Sequence, residues 1–161
     1  MPRGREEFAG WLASRRLRVT GERMAVLEAV MRAPGHIDID YLQDRFRRLK
    51  RPVSRATIYR TLTHLVESGL VQRITTGEGQ GRYEPMLGRE HHDHMVCVGC
   101  GEILEFTSGE IERLQDWVCR KKKFAIVSHT LQIRGFCERC AAERAGAAEV
   151  GTMPAPGPRR S

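Results

Sequence analysis

His91, His92, Asp93 and His94 are followed at once by Cys97 and Cys100, so six metal-binding side chains fall within ten consecutive positions. A run this polar cannot be buried bare, because unpaired polar and charged groups are costly to remove from water. The C-x-x-C spacing of Cys97 and Cys100 recurs downstream at Cys137 and Cys140. Two such pairs suit one closed tetrahedral zinc site of structural type. The gap between the pairs is longer than in a compact zinc ribbon. Closing it therefore ties the ends of a subdomain together, and zinc–thiolate bonding contributes folding energy directly. The imidazoles and carboxylate form a second, harder ligand set, suited to Fe, Mn, Zn or Ni. Cys119 stands apart, beside the apolar side of a helical stretch, and reads as a buried free thiol.

The chain has 161 residues, of which 40% are hydrophobic, enough for one ordinary domain or two small ones. No apolar run is long enough to span a bilayer, and the N-terminal residues lack the apolar core of a signal peptide. These features predict a cytoplasmic protein with no membrane partner, in a compartment that keeps thiols reduced and available to metal. The formal charge of +7 is unevenly spread: residues 1–84 carry a net +6 and residues 85–144 a net 0. A basic first half joined to a neutral, ligand-rich second half points to nucleic acid on one side and metal sensing on the other.

Periodicity predicts four helices in the first half. Residues 6–16 place Phe8, Trp11 and Leu12 on one face. Thr20 caps a second helix carrying Met24, Leu27, Val30 and Met31, which stops at Ala33, Pro34 and Gly35. Asp38 caps a third with Ile39, Leu42, Phe46 and Leu49 on its inner stripe, and Arg45, Arg47, Arg48 and Lys50 elsewhere. Ser54 caps a fourth, Arg55 to Ser68, with Ile58, Leu62, Leu65 and Val66 inward and Gly69 at its end. Two short strands around a glycine-rich turn come next. Helices succeeded by a hairpin describe a winged helix-turn-helix, whose last helix enters the major groove. Arg55 and Arg60 would then meet guanine edges or phosphates, and Tyr59 a phosphate or thymine methyl. Arg15, Arg16 and Arg18 would reach the backbone or minor groove. His64, in mid-helix without metal-type neighbours, reads as a surface or DNA-side residue. His36, in a turn, reads locally as a loop histidine.

In the second half, Pro85 to Gly88 reads as a hinge. A short strand over Met95–Cys97 is turned by the C-x-x-C into Glu102 to Phe106. Thr107 and Glu110 have capping-box spacing and open a helix with Ile111, Leu114, Trp117 and Val118 inward. Arg120, Lys121, Lys122 and Lys123 suit its C-terminus. Phe124 to Arg134 reads as the clearest strand, with Val127, His129, Leu131 and Ile133 on one face. His129 there reads locally as a core histidine. Beyond Ala145 the composition suggests a disordered tail.

In combination these motifs resemble the ferric uptake regulator family over about Leu17 to Cys140. The resemblance rests on Arg18-Val19-Thr20, the run from Ala56 to Leu62, Arg82-Tyr83-Glu84, His91 to His94, both C-x-x-C pairs and Ser128-His129-Thr130. It implies an α+β fold: a winged helix-turn-helix over 1–84, a hinge over 85–90, and a small α/β dimerisation domain over 91–144. That domain has an antiparallel sheet and a four-cysteine zinc site, and residues 145–161 form the tail. It implies structural Zn(2+) on Cys97, Cys100, Cys137 and Cys140. It further implies a regulatory site of His36, Glu84, His92, His94 and Glu105, and an additional site of His91, Asp93, Glu112 and His129. Both local readings of His36 and His129 are thereby reversed. Because the segment Pro85–Glu90 departs in length from relatives, Glu90 competes with Glu84. The expected function is a non-enzymatic repressor of iron-uptake genes, dimeric on a palindromic double-stranded operator. Its DNA contacts include Arg18, Arg55, Tyr59 and Arg60, and it takes no small organic substrate. The mixed N/O ligands favour Fe(2+) as effector, with Mn(2+) or Zn(2+) as alternatives. Zinc-, manganese- or peroxide-sensing branches of the family remain open. So do two other classes, a zinc-dependent hydrolase, for which no H-E-x-x-H stands in the sequence, and a zinc-ribbon interaction module.

Overall fold

The structure, a computed structural model, describes residues 2–76, 81–88 and 91–148. The chain divides into two compact units, Met1–His91 and His92–Ser161. Among the described residues, no helix is long and apolar enough to cross a membrane.

The first unit contains α1 (Pro2–Ser14), α2 (Gly21–Met31), α3 (Ile39–Arg48), α4 (Arg55–Glu67), β1 (Val71–Thr75) and β2 (Gly81–Pro85). Three helices start where the sequence provides a cap. Thr20, Asp38 and Ser54 are extended, and their side chains accept from the N–H groups of Arg23, Tyr41 and Thr57. The ends of α1, α3 and α4 share one device. At each, the residue after the last turn takes positive φ, at Arg16, Lys50 and Gly69. The next N–H then reaches back five residues, as from Leu70 to the Leu65 carbonyl at 3.1 Å. The apolar stripes meet in one core that includes Phe8, Leu12, Leu27, Val30, Leu42, Phe46, Ile58, Leu62 and Leu65. Leu49, expected on the inner stripe of α3, is exposed, because the chain has already left the helix at that position. α1 begins at Pro2 and ends at Ser14, earlier at both ends than the expected 6–16.

β1 and β2 pair antiparallel from Val71 opposite Pro85 to Thr75 opposite Gly81. On its other edge β2 receives a single bridge, Ile37 opposite Tyr83. Of the segment read as a hinge, Pro85 closes β2 and Gly88 has a positive φ of 77°. Glu90, the alternative ligand to Glu84, lies outside the described residues together with Arg89.

The second unit contains β3 (Asp93–Cys97), β4 (Ile103–Phe106), α5 (Gly109–Lys121), β5 (Gln132–Gly135) and α6 (Glu138–Ala148). Its sheet has the order β4-β3-β5. β3 pairs antiparallel with β4, and β5 joins its other edge in parallel. Four expectations change here. The cap of α5 is Ser108, which accepts from the Ile111 N–H, rather than Thr107. The strand expected over 124–134 is confined to Gln132–Gly135. A strand needs a partner for its N–H and C=O groups. β3 begins at Asp93 and pairs His94 with Gln132, so among the described residues no strand lies opposite 124–130. The stripe of α5 expected to face inward buries no side chain, and Leu114, Trp117 and Val118 are exposed. Finally, the chain stays helical to Ala148, so the first residues of the expected tail belong to α6. Residues 149–161 lie outside the described residues.

Candidate metal centres and nucleic-acid surface

The turn after β3 brings Cys97 and Cys100 to the start of α6. Cys137 stands just before that helix and Cys140 in its first turn. The four Sγ atoms all lie within 4.8 Å of one another. Cys100 and Cys137 are 3.7 Å apart, far beyond a disulfide bond, and all the thiols are free. Four thiolates about 2.3 Å from a central zinc would be separated by about 3.8 Å. The spacing found therefore fits a tetrahedral zinc site.

The environment favours thiolate at one of the four, Cys97. The Cys137 N–H donates to Cys97 Sγ at 3.3 Å, and this bond leads the causes that lower the Cys97 pKa to about 6. Burial pushes Cys140 up to about 12, so in the absence of metal the thiols differ in readiness to ionise. The neighbouring sulfurs of Cys100 and Cys140 hold the Arg139 guanidinium more firmly charged. Sequence reading missed Arg139, whose signal was its place inside the second C-x-x-C. Gly99 packs closely here: a Cβ would lie 3.1 Å from Cys140 Sγ and 3.4 Å from Phe136. Cys119 is half-buried rather than buried and lies outside this cluster.

In the first unit, His36 and Glu84 come together through the bridge between the segment before α3 and β2. His36 Nε2 lies 3.3 Å from Glu84 Oε2, and the Glu84 side chain is 0% exposed. A buried carboxylate needs charge compensation, and a histidine or a cation can each provide it. In the second unit, His92, His94 and Glu105 each offer a ligand atom within 4.8 Å of one another. The sheet explains their meeting, since His94 is directly opposite Glu105 in the β3–β4 register. The His92 and His94 rings meet edge-on at 4.9 Å, and His92 Nε2 is 3.8 Å from Glu105. Asp93 points to the opposite face of β3, as strand alternation requires, and forms a separate group with Glu112 of α5 and His129. His129 Nε2 is 3.2 Å from Glu112 Oε1. His91 is exposed and directly precedes His92 in the chain. Within β3 the strand period thus sends Asp93 and His94 to opposite faces.

The residues expected to touch DNA are all in the first unit. Tyr59 is 55% exposed, and Arg18 and Arg60 are exposed. The Arg18 carbonyl accepts from Arg23 at 2.5 Å. Arg55 is also exposed, but its guanidinium is paired with Asp40 and Gln43 of α3. His64 is half-buried instead of lying free on the surface. Its ring is 5.7 Å from that of Trp11, which Arg15 covers on the way out of α1. Burial first, then the charge of Arg23, lowers its pKa.

The profile of the Ferric uptake regulator family matches residues 14–134. The ferric uptake regulation protein of Neisseria gonorrhoeae is 39% identical over 131 residues, which is 79% of this chain and 88% of that protein. The ferric uptake regulator of Pseudomonas aeruginosa, solved with manganese, superposes with a TM-score of 0.68 at 31% identity, covering 79% of this chain and 95% of that one. The ferric uptake regulator of Helicobacter pylori, whose structure reveals three functional metal-binding sites, gives a TM-score of 0.66 at 28% identity, covering 81% of this chain and 86% of that one. With its helix–hairpin head and its clustered thiols, the chain belongs to the ferric uptake regulator family of metal-responsive regulators.

Proposed function

We propose that the protein is a homodimeric, metal-dependent repressor of iron-uptake genes that binds a palindromic DNA operator. Fe(2+) is the effector we favour, with Mn(2+) and Zn(2+) as the alternatives. The observation that carries the reading is the buried Glu84 carboxylate held against His36, in the same unit as the basic helix α4. A ligand pair there couples effector charge to the DNA-reading head. In the assignment we favour, His36 and Glu84 act with His92, His94 and Glu105 on the effector. His91, Asp93, Glu112 and His129 form an additional site, and Cys97, Cys100, Cys137 and Cys140 hold a structural zinc. When bound, the effector supplies positive charge and directed bonds to imidazole and carboxylate.

In this reading the head is a winged helix, α4 enters the major groove, and Arg18, Arg55, Tyr59 and Arg60 touch DNA. Support for a second copy comes from the exposed apolar stripe of α5 and from Val127, which is 96% exposed. A surface of that kind calls for a protein partner. Two copies would present two α4 helices to successive major grooves of a symmetric site. Effector and DNA are then linked, each raising affinity for the other by the same factor. The likeness to ferric uptake regulators, rather than to hydrolases, supports the regulator reading.

The test is an anaerobic titration of zinc-loaded protein with Fe(2+), Mn(2+) or Zn(2+), combined with selection from a randomised duplex pool. A palindromic sequence should be enriched only with effector present, and His92→Ala should lose that dependence while keeping one tightly held zinc per chain. Enrichment that is indifferent to metal would overturn the proposal.

A further inference from the structure

The bridge between Ile37 and Tyr83 sets up more than one pair. Their backbones exchange two hydrogen bonds, at 3.0 and 2.7 Å, and both side chains enter the core. In an antiparallel pairing the flanking residues lie opposite each other, on the face away from the central pair. One flanking pair is His36 and Glu84. The other is Asp38 and Arg82, joined by an ion pair of 3.0 Å. Both are on one face of β2, two residues apart. The Asp38 carboxylate also has a second task. One oxygen, Oδ1, accepts the Tyr41 N–H at 2.8 Å and caps α3, while Oδ2 receives Arg82. The carboxylate therefore fastens the start of α3 to β2, beside His36 and Glu84.

We infer that Asp38 and Arg82 are positioning residues that keep His36 in ligand register with Glu84, and that through the α3 cap they make effector binding sensitive to the attitude of α3. This rests on the assignment of His36 and Glu84 to the regulatory site. His36 precedes the helix cap by two residues, and a single bridge holds that segment to β2. The Asp38–Arg82 pair is the next fastening along the chain, so its loss leaves the bridge to hold the register of His36 from one side.

The test follows Mn(2+) binding to the full-length, zinc-loaded protein without DNA, by the electron paramagnetic resonance signal of free Mn(2+). His36→Ala identifies the binding step that belongs to the site. Arg82→Met and Asp38→Ser each break the ion pair, and serine leaves an oxygen for the Tyr41 N–H, so the cap survives. Each should weaken the identified step about three- to fivefold, the range of a partly exposed ion pair. The double variant should be no worse than either single one. Arg82→Lys should restore most of the affinity, and salt of about 1 M should bring wild type and the ion-pair variants together. Unchanged Mn(2+) binding in both single variants, or losses that multiply in the double one, would overturn the inference while leaving the site assignment intact. If His36→Ala loses no binding step, the site assignment itself fails.

Discussion

Arg55, in the first turn of α4, is ion-paired to Asp40 in the first turn of α3 and donates to Gln43 Oε1 at 2.6 Å. A residue expected to read DNA is thus engaged inside the head. Phosphate contact would have to compete with that carboxylate. Asp40→Asn should raise duplex affinity about two- to fivefold at low salt, with a change in stability below about 1 kcal/mol. Arg55→Ala should weaken binding and make the salt dependence shallower by about one ion. Fluorescence anisotropy across a salt series measures both. An Asp40→Asn gain that persists when Arg55 is alanine would show that the pairing is irrelevant to DNA.

Gly99 lies under the thiol cluster, where a Cβ would crowd Cys140 and Phe136. Cys140 cannot withdraw without moving a zinc-type ligand, and Phe136 is the residue next to another, Cys137. Gly99→Ala should therefore weaken zinc retention about tenfold, as read by competition with a chromophoric chelator. Gly109→Ala is the control, because a Cβ there meets only the end of Arg113 at 3.5 Å. Equal zinc retention in the two variants would contradict this reading of the cluster.

His64 gives the head a pH dependence. Its pKa is lowered in the folded state by burial, Arg23 and Arg60, with Glu67 opposing. The unfolded chain then binds the proton more readily. Stability from this group is complete above the unfolded value of about 6.5 and is lost as pH falls through the lower folded value. Urea melts of wild type and His64→Gln should diverge least near neutrality, and the wild type should lose relatively more stability on acidification. Parallel pH profiles would refute the assignment.

Lys50 occupies the left-handed position that ends α3, with a φ of 51°. A side chain there costs about 1 kcal/mol relative to glycine. Lys50→Gly should raise the melting temperature by a few degrees. Differential scanning calorimetry decides it, and a lowered midpoint would mean that the lysine has a structural partner.

The local signals in the sequence translated directly into structure where the chemistry is local. The oxygens of Thr20, Asp38 and Ser54 and the positive φ at Gly69 need only neighbours a few residues away. The thiol cluster was legible for the same reason, since each C-x-x-C places its own sulfurs. Pairing across strands was not. Nothing in the spacing says that Glu105 lies opposite His94, or that Glu84 lies beside His36. Those meetings depend on register, and family resemblance rather than periodicity supplied the carboxylates. The alternation from Val127 to Ile133 is present in the sequence, yet among the described residues most of it has no strand opposite. Likewise the amphipathic period of α5 is sound, but the helix buries none of its apolar side chains within its own unit.

The two-sidedness of β2 has a consequence for how this head can change over evolutionary time. Arg82 and Glu84 face one way and Tyr83 the other. Adding or deleting one residue within Gly81–Pro85 would turn the arginine or the glutamate toward the core and the tyrosine outward. Indels should therefore be purged from this strand and collect in the connections on either side of it, so that loop length varies freely between orthologues while the spacing of these three residues stays constant.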